Sequence, residues 1–137
     1  MLSHQLHVVP RQWRVLAWRL LHGSLHCNAF LASVPVQGGN AGPPYCQRPG
    51  CRTAGCPETL SHVFRDCPVV RPAVEWLRML WQRVMGLDAV PELSAEALVA
   101  DCDPAWHFPG DEAAKDLWTM LRLALLYATW VARCRSQ

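Results

Sequence analysis

The chain has 137 residues, 51% of them hydrophobic, and a net charge of +2, which is the composition of one ordinary globular domain. Seven cysteines, an odd number with one tight cluster, argue against a secreted scaffold held together by disulfides. The sequence has no run of 18 apolar residues, and arginines interrupt the apolar stretch near the amino terminus, so neither a membrane span nor a secretory signal is expected. We therefore expect a single intracellular domain over residues 1–137.

Positive charge is concentrated in the first part of the chain. Residues 1–83 hold nine arginines and three carboxylates, a net charge of +6, and the first acidic side chain is Glu58. Residues 84–137 carry a net charge of −4. Arginine suits planar, bidentate contacts with phosphate. An acid-free, arginine-containing start is also typical of a mitochondrial presequence, so mitochondrial, nuclear and cytoplasmic locations all stay open.

The first predicted element is a helix from about Arg11 to His22, within a leading segment 11–23 that ends at Gly23, a residue favoured just after helices. Its core-facing side is predicted from apolar residues at helical spacing: Trp13, Leu16, Ala17, Leu20 and Leu21. The opposite face carries a basic stripe with an aromatic ring in it, formed by Arg11, Arg14, Trp18 and His22. Such a stripe is either a solvated helix face or a surface for an anionic partner.

Residues 46–68 follow a Gly/Pro-rich loop and hold the densest group of metal-binding side chains in the chain. These are Cys46, Cys51, Cys56, His62 and Cys67. Thiolate and imidazole groups at short, loop-sized spacings suit tetrahedral Zn²⁺, which needs four of them. Buried free thiols are the alternative, but the surrounding Pro, Gly and Arg residues offer little apolar surface in which to bury them. We therefore predict a zinc knuckle.

Helices are predicted for the rest of the chain, and no alternating pattern is long enough for a sheet. One helix covers about 72–85, with Val74, Leu77, Trp81 and Val84 on one side and Trp76 off that side. A short helix near 95–100 and a long helix over about 112–133 follow. The predicted fold is a small all-α domain of four to five helices with an inserted zinc knuckle and a helical remainder over 72–137. Its three longer helices are expected to form a single core.

The knuckle resembles a known family. Its matching residues are Glu58, Thr59, His62, Phe64, Cys67 and Pro68, with Trp76 as the counterpart of a downstream Trp. The family is the zinc-binding domain that follows the polymerase in non-LTR retrotransposon reverse transcriptases. Residues 13–25, WRVLAWRLLHGSL, are similar to its leading helix. Residues 117–135, LWTMLRLALLYATWVARCR, resemble the helix that in full-length elements leads toward an RNase H domain, so the resemblance spans about 11–135. The first two cysteines depart from the pattern, since four residues separate Cys46 from Cys51 where the family usually has two.

The ligand set follows from the resemblance, because the family's Glu-Thr pair lies several residues beyond its second cysteine. This favours Cys46, Cys51, His62 and Cys67 as zinc ligands. A compact knuckle that uses Cys56 in place of Cys46 is the competing set, and its loops would close as easily. Three cysteines and one histidine leave zinc no open position, so the metal is expected to be structural.

Catalytic patterns are missing from the sequence, and we expect the chain not to be an enzyme. It has no aromatic-x-Asp-Asp polymerase signature, no grouped carboxylates in strand context and no phosphate-binding Gly loop with a lysine. The resemblance instead implies contact with the phosphate backbone of RNA. The residues expected to form one basic face are Arg11, Arg14, Trp18, Arg19, Arg48, Arg52 and Arg65. Trp18 or Tyr45 is expected to stack on an unpaired base, with the acidic half of the chain turned away.

Three functions are consistent with these expectations. In the first, the chain is a domesticated, stand-alone reverse-transcriptase fragment that serves as a structural component of a ribonucleoprotein such as an organellar ribosome. In the second, it is an accessory domain of an active retrotransposon polymerase. In the third, it is a zinc-stapled protein–protein adaptor. All three imply macromolecular partners, with no membrane and no small-molecule substrate.

Overall fold

A computed structural model describes residues 9–35, 42–100 and 111–137 of the chain. These residues form seven helical segments and no strand, apart from one isolated bridge between Tyr45 and Pro57. Five segments are α-helices: α1 Arg11–Leu21, α2 Asn28–Ser33, α3 Cys51–Ala54, α4 Arg71–Met85 and α5 Glu112–Arg135. The other two, His62–Asp66 and Glu96–Ala100, are π-helical turns. The predicted all-α class is confirmed. The predicted domain boundaries stay a prediction, since residues 1–8, 36–41 and 101–110 lie outside the described ranges.

Helix α5 is the common partner of the other long helices. It has 24 residues and is therefore about 36 Å long. One buried cluster joins α5 to α4 and the knuckle, and in it the rings of Trp81 and Trp118 lie 5.2 Å apart. A second cluster joins α5 to α1 through Leu16, Leu20 and Leu126. The expected single core is thus two clusters, because α5 is long enough to offer separate surfaces to α1 and α4.

Helix α1 ends where the sequence predicts. Gly23 has a φ of 60° and supplies the left-handed residue of the turn that follows the helix. Leu16 and Leu20 are buried on its inner side. Leu21 was expected in the core, but it is 65% exposed. It lies five residues after Leu16 and therefore about 140° round the helix from it.

Helix α4 carries the apolar stripe that its spacing predicts. Val74, Leu77 and Trp81 are buried, while Trp76 is 62% exposed, and both predictions are confirmed. Val84 was expected on the buried side but is mostly exposed. The stripe passes instead through Trp81 and Met85, four residues apart, and Met85 packs against the core. Gly86, with a φ of 63°, then ends the helix.

Candidate metal centre

Four of the five predicted metal-binding side chains come together in the structure. The Sγ atoms of Cys46, Cys51 and Cys67 and a ring nitrogen of His62 all lie within 4.8 Å of one another. The Sγ atoms of Cys51 and Cys67 are 3.7 Å apart. Two sulfur ligands of a tetrahedral zinc, each about 2.3 Å from the metal, would be separated by about 3.8 Å. The separation of the Cys51 and Cys67 sulfurs is therefore that of two ligands in a tetrahedral site.

Burial supports the same conclusion. The three cysteines are at most 2% exposed. The Nε2 atom of His62 is buried and has no hydrogen-bond partner among the described residues. A buried nitrogen without a partner destabilises the fold, and a coordinated metal would satisfy it. Three thiolates and one imidazole form a donor set that structural zinc sites use, so the cluster can hold a metal ion.

A short backbone loop brings Cys46 and Cys51 together. The N–H of Cys46 donates to the carbonyl of Cys56 at 2.9 Å, and the N–H of Glu58 donates to the carbonyl of Pro44 at 2.9 Å. Between these two hydrogen bonds the chain reverses around α3. The glycines that flank α3, Gly50 and Gly55, have φ values of 84° and 65°. A side chain is disfavoured at such angles, so the reversal depends on glycine.

Cys56, the competing ligand, lies outside the cluster. It is half-buried and packs against the core beside the ligands. Its hydrogen bonds are made by its backbone, which accepts from Cys46 and donates to the carbonyl of Cys51 at 3.0 Å. The structure therefore assembles the favoured set of four donors and leaves the fifth aside.

A π-helical turn sets the spacing of the last two donors. In an α-helix, side chains five residues apart diverge by about 140°. The N–H of Cys67 instead donates to the carbonyl of His62 at 2.9 Å, which is an i to i+5 hydrogen bond. The wider turn places both side chains in one cluster. Thr59 fixes its start, since its Oγ1 accepts from the N–H of His62 at 3.1 Å.

Glu58 has a structural role that sequence reasoning did not assign. Its side chain is fully buried, and Arg133 Nη2 lies 2.5 Å from its Oε1. The same oxygen accepts from the N–H of Asn28 at 2.9 Å. Burial disfavours the charged form of Arg133, but the hydrogen bonds and the charge of Glu58 outweigh it and raise the Arg133 pKa. Glu58 therefore joins the knuckle to α2 and α5. The only signal in the sequence was its place in the family motif.

Arg48 was predicted to contact RNA, but the structure buries its side chain. It is only 5% exposed, which excludes it from a surface that binds phosphate. Its Nη2 donates to the carbonyl of Thr129 at 3.4 Å, and its Nη1 is buried without a partner among the described residues. The prediction was wrong because the loop from Cys46 to Cys51 turns this side chain inward, toward the metal cluster.

The thiols respond differently to this environment. Burial raises the pKa of Cys46, and burial together with the Cys67 sulfur raises the pKa of Cys51 to about 12. Burial acts in the same direction on Cys67, but the nearby Arg48 guanidinium and the Val69 backbone stabilise the thiolate, outweigh burial and lower the Cys67 pKa. Burial also lowers the pKa of His62, which favours the neutral imidazole that binds metals. The positive charge of a bound metal ion would also lower the pKa of Cys46 and Cys51 and deprotonate both thiols.

The other predicted RNA contacts are in mixed surroundings. Arg11, Arg19 and Arg52 are exposed, and Trp18 is 56% exposed with the His22 ring stacked 4.2 Å away. Arg14 is half-buried, and its Nε is buried without a partner among the described atoms. Tyr45, the second candidate for stacking, is exposed.

Arg65 differs from these because its guanidinium is already engaged. It lies 3.1 Å from Asp66 and 3.3 Å from Glu92, and its Nε donates to the carbonyl of Leu93 at 2.6 Å. Arg65 is therefore not a free cation of a basic face. Of the other two basic knuckle residues, Arg48 is buried and Arg52 is exposed.

Comparison of the chain with protein-family models, with curated proteins and with solved structures gave no match. The resemblance to the reverse-transcriptase zinc-binding domain therefore stays a prediction that rests on the residues of the knuckle and its flanking helices. Within the described ranges, no helix has the length and apolar character needed to cross a membrane.

Proposed function

We propose that the chain is a non-catalytic RNA-binding module whose fold is held together by one zinc ion. The observation that carries the zinc part is the buried group of three cysteines and one histidine, whose donor atoms lie within 4.8 Å of one another. Four such donors fill a tetrahedral shell and leave no open position for water or substrate. Zinc bound there stabilises the knuckle and performs no chemistry.

The support for RNA comes from the surface of α1. No acidic side chain precedes Glu58 in the sequence. Arg11 and Arg19 are exposed, and within the described residues no carboxylate pairs with an arginine of α1. Free guanidinium groups on a helix are suited to phosphate contacts, which position a nucleic acid without reading its sequence. The RNA surface proposed is therefore α1, with Arg52 on the knuckle.

We further propose an origin as a reverse-transcriptase fragment, now part of a ribonucleoprotein such as an organellar ribosome. Two residues of the family motif make structural contacts in this chain. Glu58 pairs with Arg133, and Thr59 accepts a hydrogen bond at the start of the turn that contains His62. A protein neighbour in such an assembly is supported by the outer face of α4, where Trp76 and Met79 are 62% and 54% exposed. An adaptor role would use this face.

RNA titrations over a range of salt concentrations, on protein with one zinc per chain, test the proposal. Each lost phosphate contact lowers the slope of log K against log salt by about 0.7–0.9. An Arg11→Ala, Arg19→Ala double variant should therefore bind more weakly, with a slope lower by about 1.4–1.8. The matched control is Arg83→Ala with Arg135→Ala, two exposed arginines outside α1. Equal losses in both pairs would reject α1 as the RNA surface, and no salt-dependent binding by the unmutated protein would reject RNA.

A further inference from the structure

A groove of about 520 Å³ lies between α1 and α5. Its inner wall is formed by the buried side chain of Leu16 and the half-buried rings of Tyr127 and Trp130. Buried Leu25 also lines it, and α1 adds four exposed side chains: Arg11, Gln12, Val15 and Arg19. The volume is within the range of about 300–1,000 Å³ that small-molecule and cofactor sites occupy. The groove is therefore large enough for a nucleotide-sized group.

The spacing along α1 gives the groove its charge pattern. Arg11, Val15 and Arg19 are four residues apart in turn, so they follow one side of the helix. The two arginines are separated by about 12 Å along the helix axis. Neither has a carboxylate partner among the described residues. The groove thus presents apolar and aromatic surface between two free positive charges.

This pattern is complementary to one nucleotide within a single strand, which has a flat base and a phosphate on either side. A duplex does not fit as well, because its bases are paired in its interior. The axes of two packed α-helices are also only about 8–10 Å apart, so the groove between them is narrow. Recognition of RNA through unpaired bases is also the usual mode for proteins that contact bases. Trp18, which was expected to stack on a base, does not line the groove.

We propose that the groove between α1 and α5 binds one unpaired nucleotide of single-stranded RNA. Its base contacts Val15 and Tyr127, and its flanking phosphates contact Arg11 and Arg19. The inference rests on the proposed RNA-binding function and specifies its ligand as a single strand. It also separates two properties of the surface, since charge supplies affinity for any nucleic acid and the groove supplies the preference for unpaired bases.

The test compares a single-stranded oligouridylate with a blunt RNA duplex of the same length, at one salt concentration. A surface that acted by charge alone would favour the duplex, because its phosphates are more densely spaced. We expect the zinc-loaded protein to bind the single strand at least tenfold more tightly. Val15→Met, which extends an apolar side chain into the groove without adding charge or an aromatic ring, should lower that preference. The control is Leu21→Met, since Leu21 is on the same helix, is 65% exposed and lies outside the groove.

A second pair of variants separates a loss of RNA binding from a loss of folding. Val15→Asp places a negative charge between the two arginines and should weaken single-strand binding more than Leu21→Asp does. The melting temperatures of the Val15 and Leu21 variants should lie within a few degrees of one another, because both positions are exposed. If the Val15 variants bind like their Leu21 counterparts, the groove is not the site, while salt-dependent binding by the unmutated protein keeps the RNA function. If the unmutated protein binds neither probe, both the function and this inference are overturned.

Discussion

Glu58 and Arg133 form a buried ion pair across 75 residues of sequence, with Oε1 and Nη2 2.5 Å apart. Arg133 Nη2 also donates to Asn28 Oδ1 at 3.0 Å, and Glu58 accepts from the Asn28 backbone. The middle of the knuckle, the start of α2 and the end of α5 therefore meet at one pair of charges. Because a buried charge needs its partner, the position of the knuckle is coupled to that of α5.

Replacing Glu58 should destabilise the whole domain. In Glu58→Gln the guanidinium of Arg133 stays buried without its counter-charge, and loss of one partner of a buried pair costs about 3–5 kcal/mol. Urea unfolding of the zinc-loaded protein measures the change. Glu75→Gln is the control, because Glu75 pairs with Arg78 at the surface and such pairs contribute about 0–1 kcal/mol. Equal stability of the two variants would show that the buried pair is unimportant.

Removal of zinc should unfold the knuckle. The binding of a structural zinc ion is worth about 10–16 kcal/mol in small modules, which is comparable to the stability of an entire domain. A chelator should therefore expose the amides of residues 46–67 to hydrogen exchange and lower the melting temperature. Metal analysis of the native protein should give one zinc per chain. A protein that is metal-free and folded would contradict the proposed centre.

Single substitutions should distinguish the cysteines that bind the metal from Cys56, which does not. Cys46→Ala and Cys67→Ala each remove a donor from the cluster and should reproduce the effect of the chelator. Cys56→Ala is the matched control, since it deletes a thiol from the same loop but outside the cluster. It should retain zinc and most of its stability, because the hydrogen bonds of Cys56 are made by its backbone. Loss of zinc in Cys56→Ala with retention in Cys46→Ala would favour the competing ligand set.

Arg48 should tune the affinity of the centre for zinc. Three thiolates and one Zn²⁺ carry a net charge of −1, and the buried guanidinium beside them offsets it. Arg48→Met keeps much of the side-chain volume and removes the charge, and loss of such an outer partner typically lowers metal affinity 10–100-fold. Competition with a chromophoric chelator measures the change. Arg52→Met in the same loop is the control, because Arg52 is exposed and should have little effect.

The tryptophans of α4 should differ sharply in their contribution to stability. Trp81 is fully buried against Trp118, and truncation of a buried Trp to Ala costs about 3–5 kcal/mol. Trp76→Ala should change stability by less than about 0.5 kcal/mol, because that ring is exposed. Chemical denaturation of both variants compares them directly. Similar losses would mean that Trp76 is covered in solution, as it would be by a protein partner.

Local patterns in the sequence predicted the long helices. The spacing of apolar side chains predicted α1 and α4, and Gly23 predicted the end of α1, because these signals act within a few turns of the chain. The same spacing separated buried Trp81 from exposed Trp76. Short helices were harder to predict. Helices α2 and α3 have only six and four residues, too few to show a period.

The sequence by itself also predicted a group of metal-binding side chains, since clustered cysteine and histidine have few other uses at such spacings. Only the tertiary structure decided which donors meet. The loop around α3 and the π-helical turn bring Cys46, Cys51, His62 and Cys67 together, and spacing alone allowed Cys56 as well. The direction of each arginine was likewise decided in three dimensions. Arg48 and Arg52 are four residues apart, yet Arg48 is buried and Arg52 is exposed, because burial depends on the packing of α5 against the knuckle.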